Sequence, residues 1–141
     1  MHVEDISAAE MAAVIDHTFL KPFGTQEDIK RLCEEARTYG FGMVAVNPAE
    51  VELCLALLLG SPVKVGAAVG FPLGQNTSAV KTYEAEDAIA RGAHEIDMVM
   101  NVRALQSGRL DRVGDEFEAL AELCGERGIV SKVILETCYL T

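Results

Sequence analysis

A carboxylate lies in the middle of an apolar segment, HEIDMVMN, at residues 94–101. If this segment is a β-strand, its side chains alternate between two faces, which puts Glu95 and Asp97 on one face and apolar side chains on the other. An unpaired ion buried in such a strand would cost several kcal/mol. The sequence therefore predicts a cationic or hydrogen-bonding partner for Asp97, and it makes Asp97 a candidate functional carboxylate.

The other charged residues of the predicted strands have two competing interpretations. Lys64, Glu95 and Lys132 lie near the amino ends of their strands, where they form either a solvated or salt-bridged layer or part of a functional site. His17 and His94 have no second ligand at metal-binding spacing, so we expect structural histidines. The sequence predicts no metal site and no cofactor.

Strand-like and helical segments alternate along the chain, as they do in consecutive right-handed βαβ units with a parallel sheet. Short segments rich in β-branched residues predict strands at 15–20, 42–47, 63–72, 94–101 and 131–137. Helical patterns predict helices that begin near residues 8 and 26, that cover 48–60 and 76–92, and that run from about 110 to 127.

Three of these helices begin with residues typical of helix starts. Ser7 is followed by Glu10, and Thr25 is followed by Asp28, which is the spacing of a capping box. Asn47 stands directly before a proline, and this pair predicts an N-cap with a first-turn proline.

The two faces of the predicted strands differ in character. One face is uniformly apolar and carries Val44, Val46, Val65, Ala67, Val69, Ile96, Met98, Met100, Val133 and Leu135. The other face is small, polar and charged and carries Asp16, Thr18, Ala45, Asn47, Lys64, Gly66, Ala68, Gly70, Glu95, Asp97, Val99, Asn101, Lys132, Ile134 and Glu136. A doubly wound sheet would be apolar on both faces, because helices cover both. The pattern instead favours the interior of a closed (β/α) barrel, where catalytic groups sit at the carboxyl ends of strands.

Composition excludes several classes of partner. The chain has 141 residues, 50% of them hydrophobic, which is enough for a single domain with its own core. Its net charge of −10 would repel nucleic acid and anionic membranes. The longest apolar run, at 53–60, is far below the roughly 20 residues of a membrane span, so we expect a cytoplasmic protein with reduced cysteines.

Five segments together resemble the deoxyribose-phosphate aldolase family. They are IDHTFLKP, VAVNP, KVGAAVGFPLG, EAEDAIARGAHEIDMVMNVRALQSG and KVILETCYLT, in family order and over almost the whole chain. The resemblance implies a (β/α)8 TIM barrel and a class I aldolase, a carbon–carbon lyase. Such enzymes reversibly cleave 2-deoxy-D-ribose 5-phosphate to glyceraldehyde 3-phosphate and acetaldehyde through a lysine Schiff base, without metal.

The resemblance also suggests roles for individual residues. Asp97 matches the aspartate that works with a second lysine and a water to move protons. Lys132 matches a lysine that lines the same pocket in a supporting electrostatic role, and Asp16, Thr18 and Asn47 match polar residues around it. Ala45 departs from the pattern, because many members have a cysteine there, but this change affects no residue that the chemistry requires.

The family places its Schiff-base lysine on the sixth strand and its phosphate-binding residues after strands seven and eight, whereas the chain supplies roughly the first five strands. We therefore expect residues 1–141 to be a single domain that forms the incomplete N-terminal part of an aldolase barrel, inactive by itself. Its expected partners are small phosphosugar and aldehyde substrates and a further copy of itself. The alternatives are a non-catalytic half-barrel that assembles through its open strand edges, and another phosphosugar lyase or isomerase barrel.

Overall fold

The computed structural model describes residues 6–140, in which five parallel strands alternate with helices. The strands are β1 (Asp16–Phe19), β2 (Met43–Val46), β3 (Lys64–Val69), β4 (Glu95–Val99) and β5 (Val130–Ile134). The helices are α1 (Ala8–Ala12), α2 (Gln26–Tyr39), α3 (Val51–Leu57), α4 (Ser78–Ala90), α5 (Val102–Gln106) and α6 (Leu110–Gly125). Short 3-10 turns cover Pro48–Glu50 and Thr137–Tyr139.

The order of strands in the sheet is the same as their order in the chain, β1-β2-β3-β4-β5. A doubly wound sheet would reverse its strand order at a switch point, and none occurs between β1 and β5. A sequential parallel order is the arrangement from which a (β/α) barrel is built.

The sheet is strongly curved. Lys132 Nζ on β5 lies 2.6 Å from Asp16 Oδ2 on β1, although three strands separate β1 from β5. Neighbouring strands are about 4.8 Å apart, so a flat sheet would hold these two strands roughly 19 Å apart. The charged face is therefore the concave, inner face, as the strand alternation predicted.

The hydrophobic core lies on the convex face, between the sheet and its helices. Strand side chains predicted for this face are fully or almost fully buried there, namely Val44, Val46, Val65, Ala67, Val69, Ile96 and Met98. They pack against apolar residues of α2, α3, α4 and α6, such as Leu32, Cys54, Ala85 and Leu120. Leu135 is an exception: β5 ends one residue earlier, and 47% of Leu135 is exposed.

The helix starts follow the predicted chemistry in two cases out of three. Capping boxes form at Ser7 and Thr25, with each side chain accepting from the backbone N–H three residues later. Asn47 occupies an N-cap position, but its side chain makes no capping hydrogen bond, because the chain first forms a 3-10 turn. The sequence patterns did not predict α5, whose five residues are too few to show helical periodicity.

Glycine holds the loop after β3 against the end of β4. Gly74 has a φ of +62°, and a Cβ at this position would collide with the carbonyl oxygen of Met100. At the start of the same loop, the Gly70 amide donates to Glu84 Oε2 at 2.8 Å, which ties the loop to α4. The loop therefore lies close beside the carboxyl end of β4.

Candidate active site

Four strands contribute to one ion cluster on the concave face. Lys132 Nζ lies 2.6 Å from Asp16 Oδ2, 3.2 Å from Glu95 Oε2 and 3.2 Å from Asp97 Oδ1. Lys64 Nζ contacts the other oxygen of Glu95 at 2.8 Å. We call these five residues the inner ion cluster. Lys64 and Lys132 therefore both form ion pairs with Glu95, and Asp97 has the cationic partner that the sequence predicted.

Parallel register explains why these side chains meet. Asp97 pairs with Lys132 across β4 and β5, and register partners in a parallel sheet point to the same face. On the other side of Asp97, the register partner is Ala68. Small residues on the intervening strands leave room for the long side chain of Lys132 to cross the concave face.

Asp97 is the most deeply placed carboxylate of the inner ion cluster, with 8% of its surface exposed. Burial raises the pKa of Asp97 above its ordinary value, against the attraction of Lys132. Its Oδ1 lies close to Lys132 but accepts no hydrogen bond from residues 6–140, so the contact is ionic without hydrogen-bond alignment. A buried carboxylate oxygen with a raised pKa and an unused lone pair is well suited to exchange a proton with a water or a substrate.

Lys132 has the electrostatics of a fixed cation. Burial would lower the pKa of its ammonium group, but the hydrogen bond to Asp16 and the attraction of Asp97 raise that pKa above its ordinary value. Burial would raise the pKa of Glu95, but hydrogen bonds and attraction from Lys64 and Lys132 hold that pKa below its ordinary value. A lysine that forms an imine must first lose its proton. The surroundings of Lys132 oppose that loss.

The remaining predicted residues lie apart from the centre of this cluster. Thr18 is on the same strand face as Asp16 and donates its hydroxyl to the Asp16 carbonyl oxygen at 2.8 Å. Asn47 follows β2 and lines a separate cavity of about 290 Å³ together with Phe19 and Glu50. The structure therefore brings together Asp16, Asp97 and Lys132, with Thr18 beside Asp16, and it leaves Asn47 in a neighbouring cavity.

A second, fully buried ion pair supports the end of β4 from outside, and sequence reasoning did not find it. Lys81 Nζ on α4 lies 2.9 Å from Glu116 Oε2 on α6 and donates at 2.9 Å to the carbonyl oxygen of Val99. Ser78 donates to the other oxygen of Glu116 at 3.1 Å. Val99 is two residues beyond Asp97, so this network fixes the strand that carries the candidate carboxylate. The available signal was the position of Lys81, which shares a helix face with the buried residues Ala85 and Ala88.

Both histidines of the described chain have protein partners. His17 Nε2 lies 2.7 Å from Glu35 Oε2, and His94 Nδ1 accepts from the Val65 amide at 3.0 Å. Among residues 6–140, no group of three or more histidine, cysteine or acidic side chains is placed to hold a metal ion. No helix in the same range is long and apolar enough to cross a bilayer.

Comparison with known proteins agrees with the geometry of the strands. A family model described as DeoC/LacD family aldolase matches residues 10–141. The chain belongs to this family.

Curated DeoC/LacD relatives extend well beyond the matched region. A deoxyribose-phosphate aldolase of Bacteroides thetaiotaomicron is 60% identical over 139 residues, which are 99% of this chain and 58% of that protein. One from Thermoanaerobacter pseudethanolicus is 51% identical over 132 residues, or 93% of this chain and 59% of that protein. The chain thus spans a little under three-fifths of the length of these relatives.

Solved structures give the same result for the fold. A structure described as a unique tetrameric deoxyribose phosphate aldolase from Aeropyrum pernix superimposes with a TM-score of 0.85 at 34% identity, covering 96% of this chain and 56% of that one. The fold class is therefore a (β/α)8 barrel, to which this DeoC/LacD chain contributes five parallel strands and their helices.

We predict that Glu116→Gln lowers the free energy of unfolding by about 3–5 kcal/mol, because it leaves Lys81 as a buried cation without its anion. Glu118→Gln on the same helix is the matched control; Glu118 is exposed, and its loss should change stability by about 0.5 kcal/mol or less. The double variant K81M/E116L should be more stable than E116Q alone, since no buried charge remains. Urea denaturation of the three variants measures these differences, and equal effects of E116Q and E118Q would contradict the prediction.

We also predict that Lys132→Met lowers the free energy of unfolding by an amount that depends on pH. At pH 7 the variant leaves three carboxylates, Asp16, Glu95 and Asp97, without their shared cation, at a cost of about 1–2 kcal/mol; this is less than for a fully buried pair, because 34% of the Lys132 side chain is exposed.

On acidification, Asp97, whose pKa is raised by burial, takes up its proton at a higher pH than an ordinary aspartate, and Glu95, whose pKa is lowered by Lys64 and Lys132 despite burial, keeps its charge to a lower pH than an ordinary glutamate. The stabilisation from Glu95 is present above its ordinary pKa and is lost as the pH falls through its lowered value. The difference between wild type and K132M should therefore shrink below about pH 4. Urea denaturation across pH measures it, with the exposed Lys30→Met as control. A difference that stays constant or grows on acidification would refute the role assigned to Lys132.

Proposed function

We propose that this chain supplies the first five strands and the proton-transferring carboxylate of a deoxyribose-phosphate aldolase. The observation that carries the proposal is Asp97, which is buried, has a raised pKa and keeps one oxygen without a hydrogen bond from residues 6–140. The similarity to deoxyribose-phosphate aldolases supports the choice of substrate, 2-deoxy-D-ribose 5-phosphate.

The proposed reaction needs an amine, a carboxylate and a water. A neutral lysine amine attacks the carbonyl carbon, and a proton delivered to the resulting hydroxyl lets water leave as the imine forms. Loss of the proton from the C3 hydroxyl breaks the C2–C3 bond and releases glyceraldehyde 3-phosphate, and the electron pair of that bond passes to the protonated imine, which becomes an enamine. Protonation of the enamine carbon and hydrolysis then release acetaldehyde. Asp97, acting through a water, is the group proposed to give and take these protons.

Lys132 is proposed to hold Asp97 in position rather than to attack the substrate. Its ammonium contacts three carboxylates, and its pKa is raised. Lys81, which is fully buried, is paired with Glu116 on the opposite side of the sheet. We therefore propose that the imine-forming lysine is supplied by residues outside these 141. A cytoplasmic location is proposed with it, supported by cysteines that are free thiols.

Trapping with borohydride tests this function, because borohydride converts an imine into a stable amine. The 141-residue chain should form no adduct with acetaldehyde. The coding DNA beyond codon 141 should encode a helix and then a lysine-bearing strand, and the protein extended in this way should be labelled on that lysine. In the extended protein, Asp97→Asn should lower kcat/KM for 2-deoxyribose 5-phosphate by about 100-fold or more, whereas Glu34→Gln, exposed on α2, should leave it unchanged.

Two results would contradict this proposal. One is a stop codon directly after codon 141 without frameshift or assembly error. The other is an acetaldehyde adduct in the 141-residue chain that disappears in Lys132→Leu, which would make Lys132 the nucleophile.

The open edges of the sheet favour a second candidate, a non-catalytic half-barrel that pairs with another chain. Within residues 6–140, β1 and β5 each pair with a strand on one side only, and unpaired strand edges tend to associate. On this alternative, sedimentation of the 141-residue chain should show a defined oligomer formed through these edges. A stable, monodisperse monomer would count against it.

A further inference from the structure

A cavity of about 400 Å³ lies beyond the carboxyl end of β4, outside the inner ion cluster. Its polar lining comes from the loop after β3, the two ends of α5 and the start of α6, and consists of Gln75, Asn101, Arg103, Ser107, Arg109 and Arg112. We call it the arginine cavity. Its volume is within the range of small-molecule sites, roughly 300–1,000 Å³.

The cavity gathers positive charge in an acidic chain. Three arginines line it without any carboxylate among the lining residues, although the chain has 22 acidic residues and a net charge of −10. Among the other arginines of residues 6–140, Arg31 contacts Asp28 at 2.6 Å and Arg91 contacts Asp87 at 2.7 Å, whereas Arg37 donates to the carbonyl oxygen of Leu57 at 2.9 Å. The three cavity arginines form no ion pair with residues 6–140. Cations that converge on one cavity repel one another unless an anion joins them.

A buried amide side chain also lines this cavity. Asn101 is 4% exposed, and its Oδ1 accepts from the Ala104 amide at 3.0 Å, which fixes the orientation of the side chain. Asn101 is one of the residues that line the cavity, and its Nδ2 makes no hydrogen bond with residues 6–140. The start of α6 lies alongside, between Arg109 and Arg112, and its N-cap residue makes no side-chain hydrogen bond. Backbone N–H groups at a helix start favour anions.

We propose that the arginine cavity binds the phosphate group of a small phosphorylated molecule. Guanidinium groups offer paired N–H donors that match phosphate oxygens, and Asn101, Ser107 and Gln75 add neutral donors. None of the inner ion cluster residues lines the cavity, so this site is separate from the carboxylate chemistry. The proposal does not depend on the aldolase function, since it concerns binding alone.

The test is calorimetric titration of the purified protein with inorganic phosphate and, separately, with 2-deoxyribose 5-phosphate, in a low-salt, phosphate-free buffer. Arg109→Gln/Arg112→Gln should weaken binding at least tenfold relative to wild type. The matched control is Arg31→Gln/Arg91→Gln, which removes the same charge from exposed arginines paired elsewhere and should bind as wild type does. Affinity should fall as salt is added, because the contacts are ionic.

The two ligands distinguish the sources of the phosphate. Equal affinity assigns the cavity to a free phosphate group, and at least tenfold tighter binding of the sugar phosphate assigns it to a phosphorylated sugar bound at a second site. Arg103→Gln and the amide chemical shifts of residues 101–112 provide independent readouts if the double variant folds poorly. The proposal would be overturned if neither ligand bound, or if the Arg31→Gln/Arg91→Gln control lost as much affinity as the cavity variant. It would also be overturned if phosphate left the amide chemical shifts of residues 101–112 unchanged.

Discussion

The ion pair between Lys132 and Asp16 joins the two edge strands of the sheet across its concave face. Lys132 Nζ lies 2.6 Å from Asp16 Oδ2. The sheet has to be strongly curved for this contact to form, because a flat five-stranded sheet would hold its edge strands too far apart. The same ammonium group also contacts Glu95 and Asp97 on β4. Without this cation the inner face would gather carboxylates from β1 and β4 with only Lys64 to offset them. The arrangement of the inner face thus depends on one side chain from β5.

Small residues make this arrangement sterically feasible. Ala45 pairs in register with Gly66, and Ala68 pairs with Asp97, so the middle of the concave face has little side-chain volume. Met43 partly fills the remaining space, with its sulfur 4.0 Å from Lys132 Nζ. The glycine and alanine residues of β3 therefore leave the space in which the Lys132 side chain, two strands away, extends across the concave face. Apolar residues of the same strands, such as Val65 and Val69, build the core on the opposite face.

Much of the fold was predictable because its signals are local. Alternation within a strand assigns each residue to a face, and capping boxes at Ser7 and Thr25 involve residues three positions apart. The contacts that complete the site are not local: Lys132 and Asp16 are 116 positions apart, and Lys81 and Glu116 belong to different helices. Asn47 shows another limit, since the sequence indicated a cap but the 3-10 turn removed its hydrogen bond. The arginine cavity was not predictable either, because Arg103 of α5 and Arg109 and Arg112 at the start of α6 line one cavity only in the folded chain.

The two ion networks act on the same strand from opposite sides. On the concave side, Lys132 contacts the carboxylate of Asp97; on the convex side, Lys81 donates to the backbone of Val99. A catalytic carboxylate is effective only when its position is fixed to a fraction of an ångström, and both contacts reduce the freedom of β4. Each lysine nitrogen is also already engaged by oxygen acceptors, Lys132 by three carboxylates and Lys81 by Glu116 and the Val99 carbonyl. The lysines that fix Asp97 are thus poorly suited to attack a carbonyl, which is the reason for proposing that the amine of the imine reaction comes from a position with fewer neighbouring carboxylates.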